Sequence, residues 1–257
     1  MTSRTILVTG TASGINAAVR VELERGGHRV IGVDFADAEI AVDLATPEGR
    51  TEMVARAREL SGGVLHGVVA GAGESRTDPG RLVSTNFFGA IATLEGLHPL
   101  LAVSGIGRAV AIVSTASLLP VSAATVQACL AGDEPRAIEA ARADPDNAYA
   151  AGKNALARWI RRHAVTPAWA GQGICLNGVA PGGVRTAMLD GIDESAEFQA
   201  IMATTTPKAV ADYAQPEDLA EVIGWLVTAR TGYVVGQVLF ADGGCDAILR
   251  GEGYWQA

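Results

Sequence analysis

The sequence predicts an α/β domain: a parallel sheet covered by helices on both faces. Three observations carry this. Short apolar runs alternate with longer helix-like segments along the whole chain. The runs are continuously apolar rather than alternating, as strands buried on both sides require. No linker, repeat or low-complexity tract interrupts them, so residues 1–257 read as one domain.

Taken in order, Thr5–Thr9 is an apolar run and predicts a strand, and Gly14–Arg25 an amphipathic helix. Arg29–Asp34 is the next strand, followed by a short apolar run at Ile40–Val42. Pro47–Ser61 opens with proline at a helix start and keeps apolar residues on one face. Leu65–Ala70 predicts a strand, Arg81–Val103 a long helix and Arg108–Ser114 a strand. Ala148–Ala164 is a helix, Ile174–Val179 a strand, Pro216–Thr228 a helix and Gln237–Ala241 a last strand. The uncharged stretch Ala109–Gly132 is long enough to span a bilayer, but Pro120, Gln127 and its hydroxyl residues make it a buried strand, a loop and a helix.

Composition narrows the function. With 49% apolar residues the chain buries a sizeable core, which excludes a disordered or fibrous protein. Its 28 acidic against 20 basic residues leave a net charge of −8 and no basic stripe, which argues against nucleic-acid and membrane binding. Cys129, Cys175 and Cys245 form no CxxC pair and are expected to be buried free thiols. The four histidines show no ligand spacing, so no metal site is expected. The N-terminus carries no signal-peptide pattern, and a cytoplasmic location is the expectation.

One end of the chain has the marks of nucleotide binding. Thr9-Gly10-Thr11-Ala12-Ser13-Gly14-Ile15-Asn16 joins the first strand to the first helix. A glycine turn there lets the backbone approach a pyrophosphate, and the helix N-terminus offers free N–H groups. Asp34 ends the second strand, where a carboxylate accepts hydrogen bonds from both ribose hydroxyls of NAD and repels the extra phosphate of NADP. Asp43-Leu44 follows the next run, placed for the adenine amino group.

A second group carries acid–base chemistry. Tyr149 and Lys153 stand at i and i+4 and share a helix face. A nearby cation favours a phenolate, giving a general acid/base usable near neutral pH. With four tyrosines in the chain, and only Lys153 and Lys208 as lysines, the coincidence is uncommon. Ser114 ends its strand at the sheet edge where parallel sheets bind ligands. Asn86 lies inside the long predicted helix, where its amide competes for backbone groups; it is expected to bend that helix and hold a water.

These residues resemble the short-chain dehydrogenase/reductase family over essentially the full length. Its TGxxxGxG motif looks like Thr9 to Asn16, and its Asn-Ser-Tyr-Lys tetrad falls on Asn86, Ser114, Tyr149 and Lys153. Its PGxxxT motif falls on Pro181 to Thr186, and its closing strand and turn on Gly236 to Gly244. More narrowly, Asp37-Ala38-Glu39, Val42 to Arg50, Asn86 to Ala90 and the tail Asp242 to Ala247 resemble the 3α-hydroxysteroid dehydrogenase/carbonyl reductase branch, itself similar to bacterial coniferyl-alcohol dehydrogenases.

The resemblance implies a single-domain, Rossmann-type, doubly wound sheet of seven strands and hydride transfer between a nicotinamide and an apolar alcohol or ketone. It implies NAD as cofactor, bound by Gly10, Ser13, Gly14, Ile15, Asp34, Asp43, Leu44, Ala70, Gly71, Tyr149, Lys153, Pro181, Gly182, Val184 and Thr186. Tyr149 is then the acid/base, Lys153 lowers its pKa and holds ribose, Ser114 binds the reacting oxygen, and Thr186 holds the carboxamide. Homodimers or homotetramers are usual among such proteins. The alternatives are an aryl primary-alcohol (coniferyl-type) dehydrogenase or a non-catalytic NAD-binding regulator. Regulators of this family usually lack the Tyr or the Lys, and both are present here.

Three departures stand out. Asn16 replaces the third glycine, the one that permits tight helix–strand packing. The family's Asn-Ala-Gly reads Val69-Ala70-Gly71. Ser114 and Tyr149 stand 35 residues apart, which marks an insertion at about 118–146. That segment is expected to shape the substrate pocket, to block a subunit interface, or to decorate the surface. Residues 187–213 resemble the substrate-binding loop; Ala187, Met188, Leu189, Ile192, Phe198, Ile201 and Met202, with Leu118, Leu119 and Val121, suggest a greasy substrate.

Overall fold

The computed structural model describes residues 3–186 and 196–253. Seven strands build one sheet: β1 (Thr5–Thr9), β2 (Arg29–Asp34), β3 (Ile40–Ala41), β4 (Gly67–Ala70), β5 (Arg108–Ile112), β6 (Cys175–Pro181) and β7 (Val238–Ala241). They lie in the order β3-β2-β1-β4-β5-β6-β7, every pair parallel. The order reverses between β1 and β4, and a sheet of this kind opens a crevice at the carboxyl ends of its strands there.

The strands are apolar runs because both faces are covered. Ile6 and Val8 point into one core layer with Val19 and Leu23 of α1 (Gly14–Arg25) and Ile223 of the late helix Pro216–Thr228. Leu7, between them, points into the other layer. That second layer holds α2 (Pro47–Ser61), through Met53 and Ala57. Thr46 caps α2 by accepting from the Gly49 N–H at 3.0 Å, Pro47 starts it, and Gly62 closes it at φ +65°.

The single helix predicted over Arg81–Val103 is divided. Asp78 caps a short α3 (Pro79–Val83), a π-turn spans Ser84–Gly89, and α4 (Ala90–Ser104) follows. The expected bend at Asn86 therefore takes the form of a widened turn. This run, Pro79–Ser104, is long and apolar enough to cross a membrane by length and composition. Its apolar side is core instead: Leu94, Leu97 and Leu101 are fully buried.

The uncharged stretch resolves as expected into β5, a 3-10 turn (Thr115–Leu118) and α5 (Ala123–Leu130). After it come α6 (Glu134–Ala143) and the long α7 (Ala148–His163). The insertion is not surface decoration. Val126, Cys129, Ala137 and Ala141 belong to the same buried layer as Leu156 of α7. Arg50 and Glu134 fasten it with a largely buried bidentate ion pair at 2.6 and 2.7 Å. The same guanidinium donates to the carbonyls of Leu44, Ala45 and Ser84. The chain closes with α8 (Ala196–Thr205), α9 (Pro216–Thr228) and α10 (Cys245–Arg250). All three cysteines are buried and free.

Candidate active site

The crevice is a cleft of about 510 Å³ at the carboxyl ends of the strands. Its floor is the glycine turn. Gly10 has φ +85°, and a Cβ there would stand 2.9 Å from the Ala72 Cα. Gly14 has φ +58°, and its Cβ would meet the Thr186 methyl at 3.4 Å. Both positions demand glycine. The Thr9 hydroxyl accepts from the N–H groups of Gly71 and Ala72 at 2.9 and 3.0 Å, binding the turn to the loop after β4. Ser13 caps α1 without using its side chain, and the first turn of α1 holds no acidic residue. The N–H groups there are left for an anion, which suits a pyrophosphate.

Asn16, in the first turn of α1, is buried, and its Nδ2 donates to the Gly71 carbonyl at 2.8 Å. The only non-glycine residue with positive φ among the described residues is Asp37, so Asn16 needs no unusual backbone. Two departures from the family pattern thus meet. The turn after Val69-Ala70 is held by an asparagine from α1 rather than by one in β4.

Asp34 stands at the cleft, its carboxylate accepting from the N–H groups of Ala12 at 2.9 Å and Phe35 at 2.8 Å. Asp43 and Leu44 line the same end. The Arg81 guanidinium holds the Asp43 carboxyl below the usual carboxylate range. Among the lining side chains that sequence reasoning missed are Phe35, Glu74, Arg76 and Arg81. Phe35 carried a signal, being an aromatic next to Asp34 that is 77% exposed.

At the other end the cleft reaches Ser114, Tyr149 and Lys153. Ser114 is the extended residue that caps the 3-10 turn, with its hydroxyl accepting from Ala116 N–H at 3.1 Å. Tyr149 lines the same cleft. Tyr149 and Lys153 do share a face of α7, with the ammonium 5.8 Å from the phenol ring centroid. Lys153 is 4% exposed and donates to the Ile112 carbonyl at 2.7 Å.

The electrostatics here differ from the sequence expectation. Burial pushes the Tyr149 phenol up, and the group that pulls it down is Ser114 rather than Lys153. Burial also pushes Lys153 down to about 8. The physical cause is shared: desolvation opposes charge on both groups.

Asn86 is buried behind the cleft, where its Oδ1 accepts from Glu74 N–H and its Nδ2 donates to the Glu74 carbonyl, each at 2.8 Å. Its amide ties the long helical run to the loop after β4. Ala70 is likewise buried beneath the cleft, at the end of β4. Pro181, Gly182, Val184 and Thr186 line the wall opposite the glycine turn, and Ile15 lies beside it.

Of the predicted greasy segment, Met202 in α8 reaches the cleft. Ala187, Met188, Leu189 and Ile192 lie outside the described residues, as do the side chains of Phe198 and Ile201. Leu118, Leu119 and Val121 are not among the residues that line the cleft.

Known proteins share this arrangement. A family model described as enoyl-(acyl carrier protein) reductase matches residues 10–246. The 3-alpha-hydroxysteroid dehydrogenase/carbonyl reductase of Comamonas testosteroni is 35% identical over 253 residues, 95% of this chain and 97% of that protein. The cis-4-hydroxycyclohexanecarboxylate dehydrogenase of Sinomonas cyclohexanicum is 30% identical over 272 residues, 95% and 97% of the two chains. The crystal structure of 3-alpha-hydroxysteroid dehydrogenase from Pseudomonas sp. B-0831 complexed with NADH superposes with a TM-score of 0.86, at 39% identity, over 96% of this chain and 98% of that one. With the glycine turn, the Ser-Tyr-Lys cluster and these full-length likenesses in agreement, the chain belongs to the short-chain dehydrogenase/reductase family of nicotinamide-dependent oxidoreductases.

Proposed function

We propose that this protein is an NAD-dependent alcohol dehydrogenase/carbonyl reductase acting on an apolar secondary alcohol or the matching ketone. The observation that carries the reading is the meeting of Ser114, Tyr149 and a buried Lys153 in one cleft with a helix N-terminus free for a pyrophosphate. Two relatives named above act, by their names, on a hydroxyl of a saturated ring: a hydroxysteroid and a hydroxycyclohexane. That supports an alicyclic alcohol here.

The bound nicotinamide accepts hydride in oxidation and donates it in reduction. The chain supplies the rest. Tyr149 takes the hydroxyl proton of the alcohol as phenolate, or returns it to the ketone as phenol. Ser114 donates to the reacting oxygen, where negative charge develops. Lys153, its ammonium beside the phenol ring, would hold the nicotinamide ribose. Thr186 stands over Gly14 and orients the carboxamide. Asn86 is a positioning residue: it fixes the Glu74 backbone and so the loop that walls the cleft.

NAD is favoured over NADP by Asp34. Its carboxylate, aimed by two backbone N–H groups, accepts from ribose hydroxyls and repels a phosphate there. The test is NADH appearance with a panel of a 3α-hydroxysteroid, a simple cyclic secondary alcohol and coniferyl alcohol, with NADP in parallel. Turnover of a cyclic alcohol with NAD is expected. Turnover with NADP alone overturns the cofactor assignment, and turnover of coniferyl alcohol alone overturns the substrate class.

A further inference from the structure

At the adenosine end of the cleft one arginine joins two carboxylates from separate walls. Arg81 donates to Asp43 through Nη1 to Oδ2 at 2.8 Å and Nη2 to Oδ1 at 3.2 Å. Its Nε donates to both Glu74 oxygens at 3.0 and 3.1 Å. Asp43 follows β3, whereas Glu74 lies in the loop after β4, held there by Asn86. All three ionic side chains line the cleft.

The geometry leaves Asp43 partly free. Its Oδ1 also accepts from Ala45 N–H at 2.9 Å, while its Oδ2 accepts from Arg81 alone among the described residues. A carboxylate oxygen takes two donors, so Oδ2 retains one acceptor direction. A planar fork fixes that direction, as a point charge does not. Arg81 and Asp43 are each 38% exposed, and pairs so exposed contribute little to stability. The arrangement is better explained by aim.

We propose that Arg81 is a positioning residue for adenine. By clamping Asp43 to the Glu74 wall, it aims the free Oδ2 acceptor at the exocyclic amino group of the base. This rests on the reading of the cleft as a dinucleotide site. It adds a consequence of its own: the chain's preference for adenine over a base without that amino group depends on a residue that need not touch the base.

The experiment is a binding titration with NADH, with reduced nicotinamide hypoxanthine dinucleotide and with reduced nicotinamide mononucleotide. The two dinucleotides carry equal charge and differ at the amino position. The intact protein should prefer NADH by about tenfold, the order of one hydrogen bond to a charged group. In Arg81→Leu the preference should fall to within about twofold, with mononucleotide binding unchanged. Arg81→Lys, which keeps the charge and loses the fork, should resemble Leu rather than Arg. If Arg81→Leu does not fold, Arg81→Gln, which loses the charge and the fork but keeps a polar side chain, serves instead, with the same loss of preference expected. A preference kept in these variants, or absent from the intact protein, overturns the proposal. Failure of the intact protein to bind either dinucleotide overturns the underlying reading of the cleft.

Discussion

At one end of the cleft, burial dominates Tyr149 and Lys153, and the ammonium has one carbonyl to donate to. At the other end, Asp34, Asp43, Glu74 and Arg81 stand nearer solvent and are tied into backbone N–H groups and one another. The contrast separates two uses of charge. The chemical end sets its groups by desolvation, which pushes the phenol up and the ammonium down and so favours the neutral form of both. The nucleotide end fixes direction by hydrogen bonds, which aim its carboxylates.

The strongest way to break this comparison is Tyr149→Phe. Removing the one acid/base should lower turnover by about a thousandfold or more while NADH binding stays within about twofold. Steady-state rates beside a fluorescence titration check both halves. Retained turnover would mean that the buried end does not carry the proton. Because burial holds the phenol up in the ligand-free chain, alcohol oxidation should also rise toward alkaline pH. Ketone reduction, which needs the protonated phenol, should fall over the same range.

Lys153→Met sharpens the desolvation side. The folded pKa of about 8 lies below the ordinary lysine value of 10.5. The cost of burying the charge is therefore fully present below pH 8 and relieved as pH rises from 8 toward 10.5. It amounts to about 3 kcal/mol. In urea unfolding, the stability of Lys153→Met relative to the intact protein should be more favourable at pH 7 than at pH 10 by about 2–3 kcal/mol. An equal difference at both pH values would refute the desolvation.

Asp34→Ala probes the aimed end. The ratio of kcat/KM for NAD over NADP should fall by about tenfold or more, the scale of a hydrogen bond to a charged group. An unchanged ratio would remove Asp34 from cofactor choice. The smallest effect is expected at Asn16→Gly. It removes one hydrogen bond to Gly71 and places a glycine in the first turn of α1, a loss of about 1 kcal/mol and roughly 2–4 °C in Tm.

Much of this was legible in the sequence. The strands at Thr5–Thr9 and Arg29–Asp34 and the helix at Pro47–Ser61 occur at the expected residues, because each is signalled locally by an apolar run, a cap or a proline. Ser114, Tyr149, Lys153 and Asp34 reach one cleft because each sits at a strand end or on one helix face. The long helix was legible as helix, but not its division at Ser84–Gly89. That division accompanies the tie between Asn86 and Glu74, 12 residues earlier. The insertion was legible only as extra length; its burial against α7, and its tie through Glu134 to Arg50, 84 residues away, were not.

What the sequence by itself determined is the order of strands and helices, the glycine turn, the carboxylate at the end of β2 and the Tyr–Lys pair on one helical face. Each is a matter of residue type and short spacing, which backbone geometry converts directly into position. Tertiary structure alone decided the partners: Asn16 with Gly71, Asn86 with Glu74, and Arg81 between Glu74 and Asp43. A hydrogen bond depends on distance and direction to within fractions of an ångström. For groups tens of residues apart those quantities exist only once β3, β2, β1 and β4 have assembled in that order in one sheet.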